Sequence, residues 1–113
     1  MIAKVVVTAL LAVLSGFAGA IKVVGVQQSL AIRDHLGVSP VQWRTIGTLE
    51  LAGVAGILAG LVWAPIGVAA AVGLALLLLG AIVFHVRASD SASDTAPAVI
   101  GLGLAAATAI LQL

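Results

Sequence analysis

The chain has 113 residues, 63% hydrophobic and 8% charged, with a formal net charge of +1 and a mean hydropathy of +1.32. A soluble domain carries about 25% charged residues, so this composition excludes a water-covered surface and requires a largely lipid solvent. The near-neutral charge points to no nucleic-acid partner, the absence of Cys removes disulfides and thiol chemistry, and two His with four acidic residues make a metal site improbable.

The length suits one transmembrane domain, residues 1–113, of four spans at about 20 residues each plus loops. The expected fold is all-α: an integral membrane four-helix transmembrane bundle with a short interfacial helix between spans 1 and 2. The first span is expected over residues 2–26. Its start also imitates a secretory signal, with Lys4, an apolar core and the small run Ala18-Gly19-Ala20. Cleavage there would remove a helix that four-span packing needs. Ala12, Ser15, Gly16, Gly19 and Lys22 recur at helical spacing and form one small face, which lets backbones approach closely in lipid. Lys22 therefore lies on a stripe facing another helix. Near the helix end it has two open readings, a buried partner or an ammonium snorkelling to the interface.

Residues 27–37 are polar and too short to span. Leu30, Ala31 and Leu36 give a weak apolar side to a short interfacial helix ended by Gly37. Arg33, Asp34 and His35 read as a solvated face, and nothing in the sequence positions His35 as a base. Ser39-Pro40 is a helix N-cap followed by Pro at the first position, opening a second span over residues 40–62. Trp43 and Arg44 fall in its first turns, where such residues anchor at the interface.

Glu50 is the residue around which the chain is organised. It lies about 15 Å along the second span, and half a hydrocarbon core is about 15 Å. It shares a helical face with Gly47, Gly53, Ile57 and Gly60, so it points into the bundle. An ionisable group at that depth marks a functional site and calls for a partner. A tight turn at Trp63-Ala64-Pro65 leads to the third span, residues 65–86, where His85 shares a face with Leu74, Leu78 and Ala81. A polar loop, residues 88–95, follows. Asp94 or Thr95 is expected to cap the fourth span, residues 96–113, with Pro97 in its first turn. The sequence ends there, and no C-terminal tail is expected to engage a partner.

Span 1 ends, span 2 begins and span 3 ends on one side of the membrane. That topology places Lys22, Glu50 and His85 toward the same end of the bundle, and they are expected to meet in one polar layer. Arg44 is a competing partner for Glu50, offset by about 9 Å along its own helix. A paired Glu50 would be a lock or a ligand site, whereas an unpaired one would take up a proton. The excess of Lys22, Arg33, Arg44 and Arg87 over Lys4 assigns the two long loops to the cytoplasm and both termini to the outside.

Gly19-x-x-Lys22, Leu36-Gly37-x-x-x-Pro40, Trp43-Arg44-x-x-Gly47-x-x-Glu50-Leu51-x-Gly53 and Gly80-Ala81-x-x-x-His85 resemble the DoxX-like membrane proteins over most of the chain. The resemblance implies a multi-pass four-helix protein of a bacterial cell membrane and carries over Lys22, Glu50 and His85 as a polar core. It implies no fixed activity. Relatives include a subunit associated with thiosulfate:quinone oxidoreduction and distant eukaryotic assembly chaperones for receptor subunits.

Three functions fit these readings. The first is an accessory or binding protein for a lipid-like or quinone-like ligand, or for a partner membrane protein. The second is a small proton-coupled multidrug-type exporter, although those place their Glu in the first span and use several aromatics. The third is a purely structural ion pair with a partner-assembly role. No nucleophile–base pair is visible, so no catalytic residue is assigned. The one enzymatic role left is as a subunit of a membrane oxidoreductase. No cofactor is required, a quinone-like ligand being the candidate. The small residues allow self-association without demanding it.

Overall fold

A computed structural model describes residues 1–113. The chain is all-helical: α1 Ile2–Val24, α2 Gln27–Leu36, α3 Pro40–Ala59, α4 Ala64–Arg87 and α5 Ala92–Leu111. Three of these, α1, α4 and α5, are long and apolar enough to cross a membrane. Helix α3 matches α5 in length at 20 residues but carries Gln42, Arg44 and Glu50, which lower its hydropathy below theirs. The long axis of the molecule is 39 Å, close to the roughly 40–45 Å of a bilayer with its headgroups.

Helices α1 and α4 each pack against both α3 and α5, so every long helix has two neighbours. The core between them is small: Leu11, Ile57, Ala71, Leu74 and Ala105. Much of the apolar surface faces outward, including Val13 (72% exposed), Phe17 (70%) and Leu76 (64%). An outer surface this rich in large apolar side chains suits hydrocarbon rather than water.

The buried faces follow the small-residue stripes. On α1 the covered residues are Thr8, Leu11, Ser15 and Gly19. On α3 they are Trp43, Gly47, Glu50 and Ile57, with Gly60 at its C-cap. Glycine lets the helices touch by backbone. A Cβ on Gly53 would meet the Leu74 side chain at 2.6 Å and one on Gly56 the Ala70 Cβ at 2.5 Å. Gly60 stands against Gly67 in the same way. These three contacts fix the antiparallel register of α3 and α4.

Two boundaries and one helix face depart most from the sequence-based expectation. Helix α3 is capped as expected, Ser39 Oγ accepting from Gln42 N at 3.2 Å while Gln42 Oε1 accepts from Ser39 N, but it ends at Ala59 rather than 62. Helix α5 begins at Ala92, four residues before the expected start. Its cap is Ser91, whose Oγ accepts from Asp94 N at 3.2 Å. Pro97 therefore lies inside α5 rather than in its first turn. Helix α2 turns inward on Ser29, which is fully buried, while Ala31 is exposed.

Candidate functional site

Lys22 lies two residues from the end of α1 and Glu50 midway along α3. The seam between these helices is closed by Gly19 and Gly47: a Cβ on Gly19 would stand 2.8 Å from Gly47 O, and one on Gly47 2.7 Å from Lys22 Cβ. The backbones are thus close enough for a lysine stem on one helix to reach a carboxylate on the other. Lys22 Nζ is 2.8 Å from Glu50 Oε1, with the side chains 15% and 8% exposed. The contact is a buried ion pair, and Lys22 Nζ is the one donor that reaches Oε1. The ammonium also points to Ala18 O at 3.5 Å.

Trp43 completes this centre. Its ring centroid is 4.9 Å from Lys22 Nζ, within cation–π range, and its indole N–H donates to Ser29 Oγ at 2.9 Å. The sequence suggests an interfacial anchor at this position. Instead Trp43 is 6% exposed, because Lys22 covers its face and α2 supplies an acceptor for its N–H.

Arg44 does not join the site. It is exposed and forms no salt bridge, since it follows Trp43 directly and so lies about 100° round the helix from the buried stripe at Trp43, Gly47 and Glu50. His85 is also elsewhere. The α3–α4 register sets Glu50 level with Leu77 and His85 level with Gln42, two turns or about 12 Å apart. The expected layer of three groups is therefore a pair, Lys22 and Glu50.

His85 belongs to a second cluster that the sequence reading did not assemble. The chain leaves α4 through Ser89, at φ 58°, and Asp90 N donates back to His85 O at 3.0 Å. This closure of the helix end folds the Asp90 carboxylate against the helix it has just left. Asp90 Oδ2 meets His85 Nδ1 at 2.6 Å, and Asp90 Oδ1 meets His35 Nε2 of α2 at 2.5 Å. With an imidazole on each oxygen, the Asp90 side chain is only 6% exposed. The His35 hydrogen bond, followed by that from His85, holds the Asp90 carboxyl below its ordinary range. The same hydrogen bond to Asp90, followed by its charge, raises His35 above the ordinary imidazole value. Arg33 and Asp34, beside His35, pair with each other at 2.9 Å. The usable signal in the sequence was one acid in a short turn after a helical His, which fixes local geometry but says nothing of a third residue 55 positions away.

A groove of about 590 Å³ runs along the α3–α4 seam and is lined by Leu49, Gly53, Gly56, Ile66, Leu74 and Leu77 among others. It is apolar and separate from the Lys22–Glu50 pair, which faces α1. No group of side chains is arranged to hold a metal ion.

A family model described as the DoxX-like family matches residues 6–108. That span includes Lys22, Trp43, Glu50, His85 and Asp90. No curated protein and no solved structure matches the chain.

Proposed function

The chain belongs to the DoxX-like family, and on that footing we propose that this membrane protein is an accessory or binding protein rather than an enzyme acting alone. In this reading α3 crosses the bilayer with α1, α4 and α5, which makes a four-span bundle. The Lys22–Glu50 pair then lies at membrane depth, where a hydrophobic molecule with a hydrogen-bonding head can engage it. The observation that carries the reading is the Glu50 carboxylate: 6% exposed and answered by a single cation, Lys22, with no second donor on Oε1. A buried carboxylate oxygen left in that state gains from a donor. The hydroxyl of a quinol-like or lipid-like head supplies one, and the apolar surroundings suit its tail.

The test is mass spectrometry of the small molecules that copurify from native membranes. Wild type is expected to retain a hydrophobic ligand that Glu50→Gln and Lys22→Ala both lose. Equal retention by folded wild type and both variants removes the pair as a binding site.

A second reading has its own support in the Gly19–Gly47 contact. Where two backbones touch, an ion pair beside them fixes register, as buried polar pairs do in some bundles. A variant with Met at both positions separates the two. It retains ligand or partner if the pair is only a lock and loses it if the carboxylate binds.

A further inference from the structure

The short helix α2 packs thinly on the rest of the molecule, touching only the end of α1 and the end of α4 beyond isolated contacts. Two polar attachments hold it. At its N-terminal end Ser29 accepts from Trp43 Nε1 at 2.9 Å, and Trp43 in turn covers Lys22. At its C-terminal end His35 meets Asp90, which also holds His85 at 2.6 Å. Two segments far apart in sequence, α2 and the end of α4, are thus clasped by one carboxylate. The chain between α1 and α2 is two residues, and Gly25 sits there at φ 81°. Gly37, at φ 73°, marks the other end. Both ends of α2 are therefore turns on which a short helix can swing without disturbing the long ones.

We propose that α2 is a lid over the Lys22–Glu50 pair, latched by Asp90 bridging His35 of the lid to His85 of α4. This rests on the reading of the pair as a binding site. The latch depends on pH, and its sign follows from the two shifts. His35 is raised by its contact with Asp90, so its contribution is complete below the ordinary imidazole value and is lost as pH rises through the raised one. Asp90 is lowered, so its contribution is lost only as pH falls through the depressed carboxyl value. The latch is tightest in weakly acidic conditions and loosens toward alkaline ones. The surrounding charges leave this direction intact. Arg33 and Asp34 on α2 satisfy each other, Arg87 at the end of α4 is exposed without a salt bridge, and Asp94 on α5 adds to the negative field on His35.

The test uses the full-length protein in lipid nanodiscs and needs no ligand. Amide hydrogen exchange reports opening of α2. Acylation by a water-soluble succinimidyl ester reports access to Lys22, with Lys4, the only other lysine, as internal reference. In Asp90→Asn, α2 amides are expected to exchange at least tenfold faster after correction for intrinsic rates, with α1 and α3 unchanged. The Lys22-to-Lys4 labelling ratio rises by a similar factor. His35→Gln, a change at an exposed position, gives the same direction and flattens the pH dependence of α2 exchange. Asp34→Asn leaves both readouts at wild-type values. Unchanged α2 exchange in Asp90→Asn and His35→Gln overturns the latch, and faster exchange with an unchanged labelling ratio overturns the lid. Either result leaves the binding-site reading standing. Loss of that reading through ligand retention in Glu50→Gln does not alter these two measurements.

Discussion

Gly19 and Gly47 meet backbone to backbone: a Cβ on Gly47 would stand 2.9 Å from Gly19 O, and one on Gly19 would stand 2.8 Å from Gly47 O. No flexible side chain lies between them to yield, so Gly47→Ala must separate α1 from α3. Overpacking of this kind costs about 1–3 kcal/mol. The variant is expected to melt earlier in detergent and to lose the Lys22–Glu50 contact with it. Gly73, beside which a Cβ meets nothing within 4 Å, is the matched control, since Gly73→Ala is expected to leave the melting temperature unchanged or raise it.

The ion pair itself predicts non-additivity. Removing one member of a buried pair leaves the other charge unanswered and costs about 3–5 kcal/mol, whereas replacing both by apolar residues is close to neutral. Lys22→Met and Glu50→Met are therefore each expected to destabilise, while the double variant recovers most of the loss. A double-mutant cycle on unfolding free energies in detergent reads this directly. Additive losses would mean that the 2.8 Å contact carries no coupling.

Trp43 offers a smaller effect with a sharper signature. Trp43→Phe keeps an aromatic face for Lys22 but removes the N–H that Ser29 accepts, leaving a fully buried hydroxyl without that donor. The expected loss is about 1–3 kcal/mol, confined to α2, so hydrogen exchange quickens there before global stability changes. Ser29→Ala in the same background is expected to add little, because the partner is already gone.

These residues also show what a sequence can disclose. The stripe Gly47, Glu50, Ile57 and Gly60 and its counterpart Ser15, Gly19 and Lys22 were legible because small and charged residues at spacings of three and four can serve only one face in lipid. Pairing Glu50 with Lys22 followed from topology. Placing His85 in the same layer did not hold, because sharing an end of the bundle leaves an axial offset free, and the α3–α4 glycine contacts set that offset at two turns. Asp90 was hidden in a loop read only as polar. Its role depends on Ser89 at positive φ and on α2 folding back, neither of which has a periodic signature. Pro97 drew the expected start of α5 toward itself, although Ser91 with Asp94 three residues on was the stronger cap.

Gln112 ties the opposite end of the molecule together and supplies the last prediction. Helix α3 finishes with Leu61 N turning to Leu58 O at 3.1 Å, which frees Ile57 O from its usual partner four residues on. Gln112 Nε2 donates to that carbonyl and to Thr8 Oγ1, both at 3.1 Å. One amide thereby joins α1, α3 and the end of α5, and its Oε1 lies between Gly60 and Gly67 with no donor. Gln112→Leu removes both hydrogen bonds and strands Ile57 O. At about 1 kcal/mol for each bond, with a further penalty for the orphaned carbonyl, the expected loss is about 2–3 kcal/mol in detergent melts. Gln112→Glu adds a charge to a 2% exposed site, so it is expected to be worse than Leu at neutral pH and to recover as the pH is lowered and the acid protonates. A Glu variant as stable as wild type at neutral pH would show that water reaches this end of the bundle and that the amide is not its clamp.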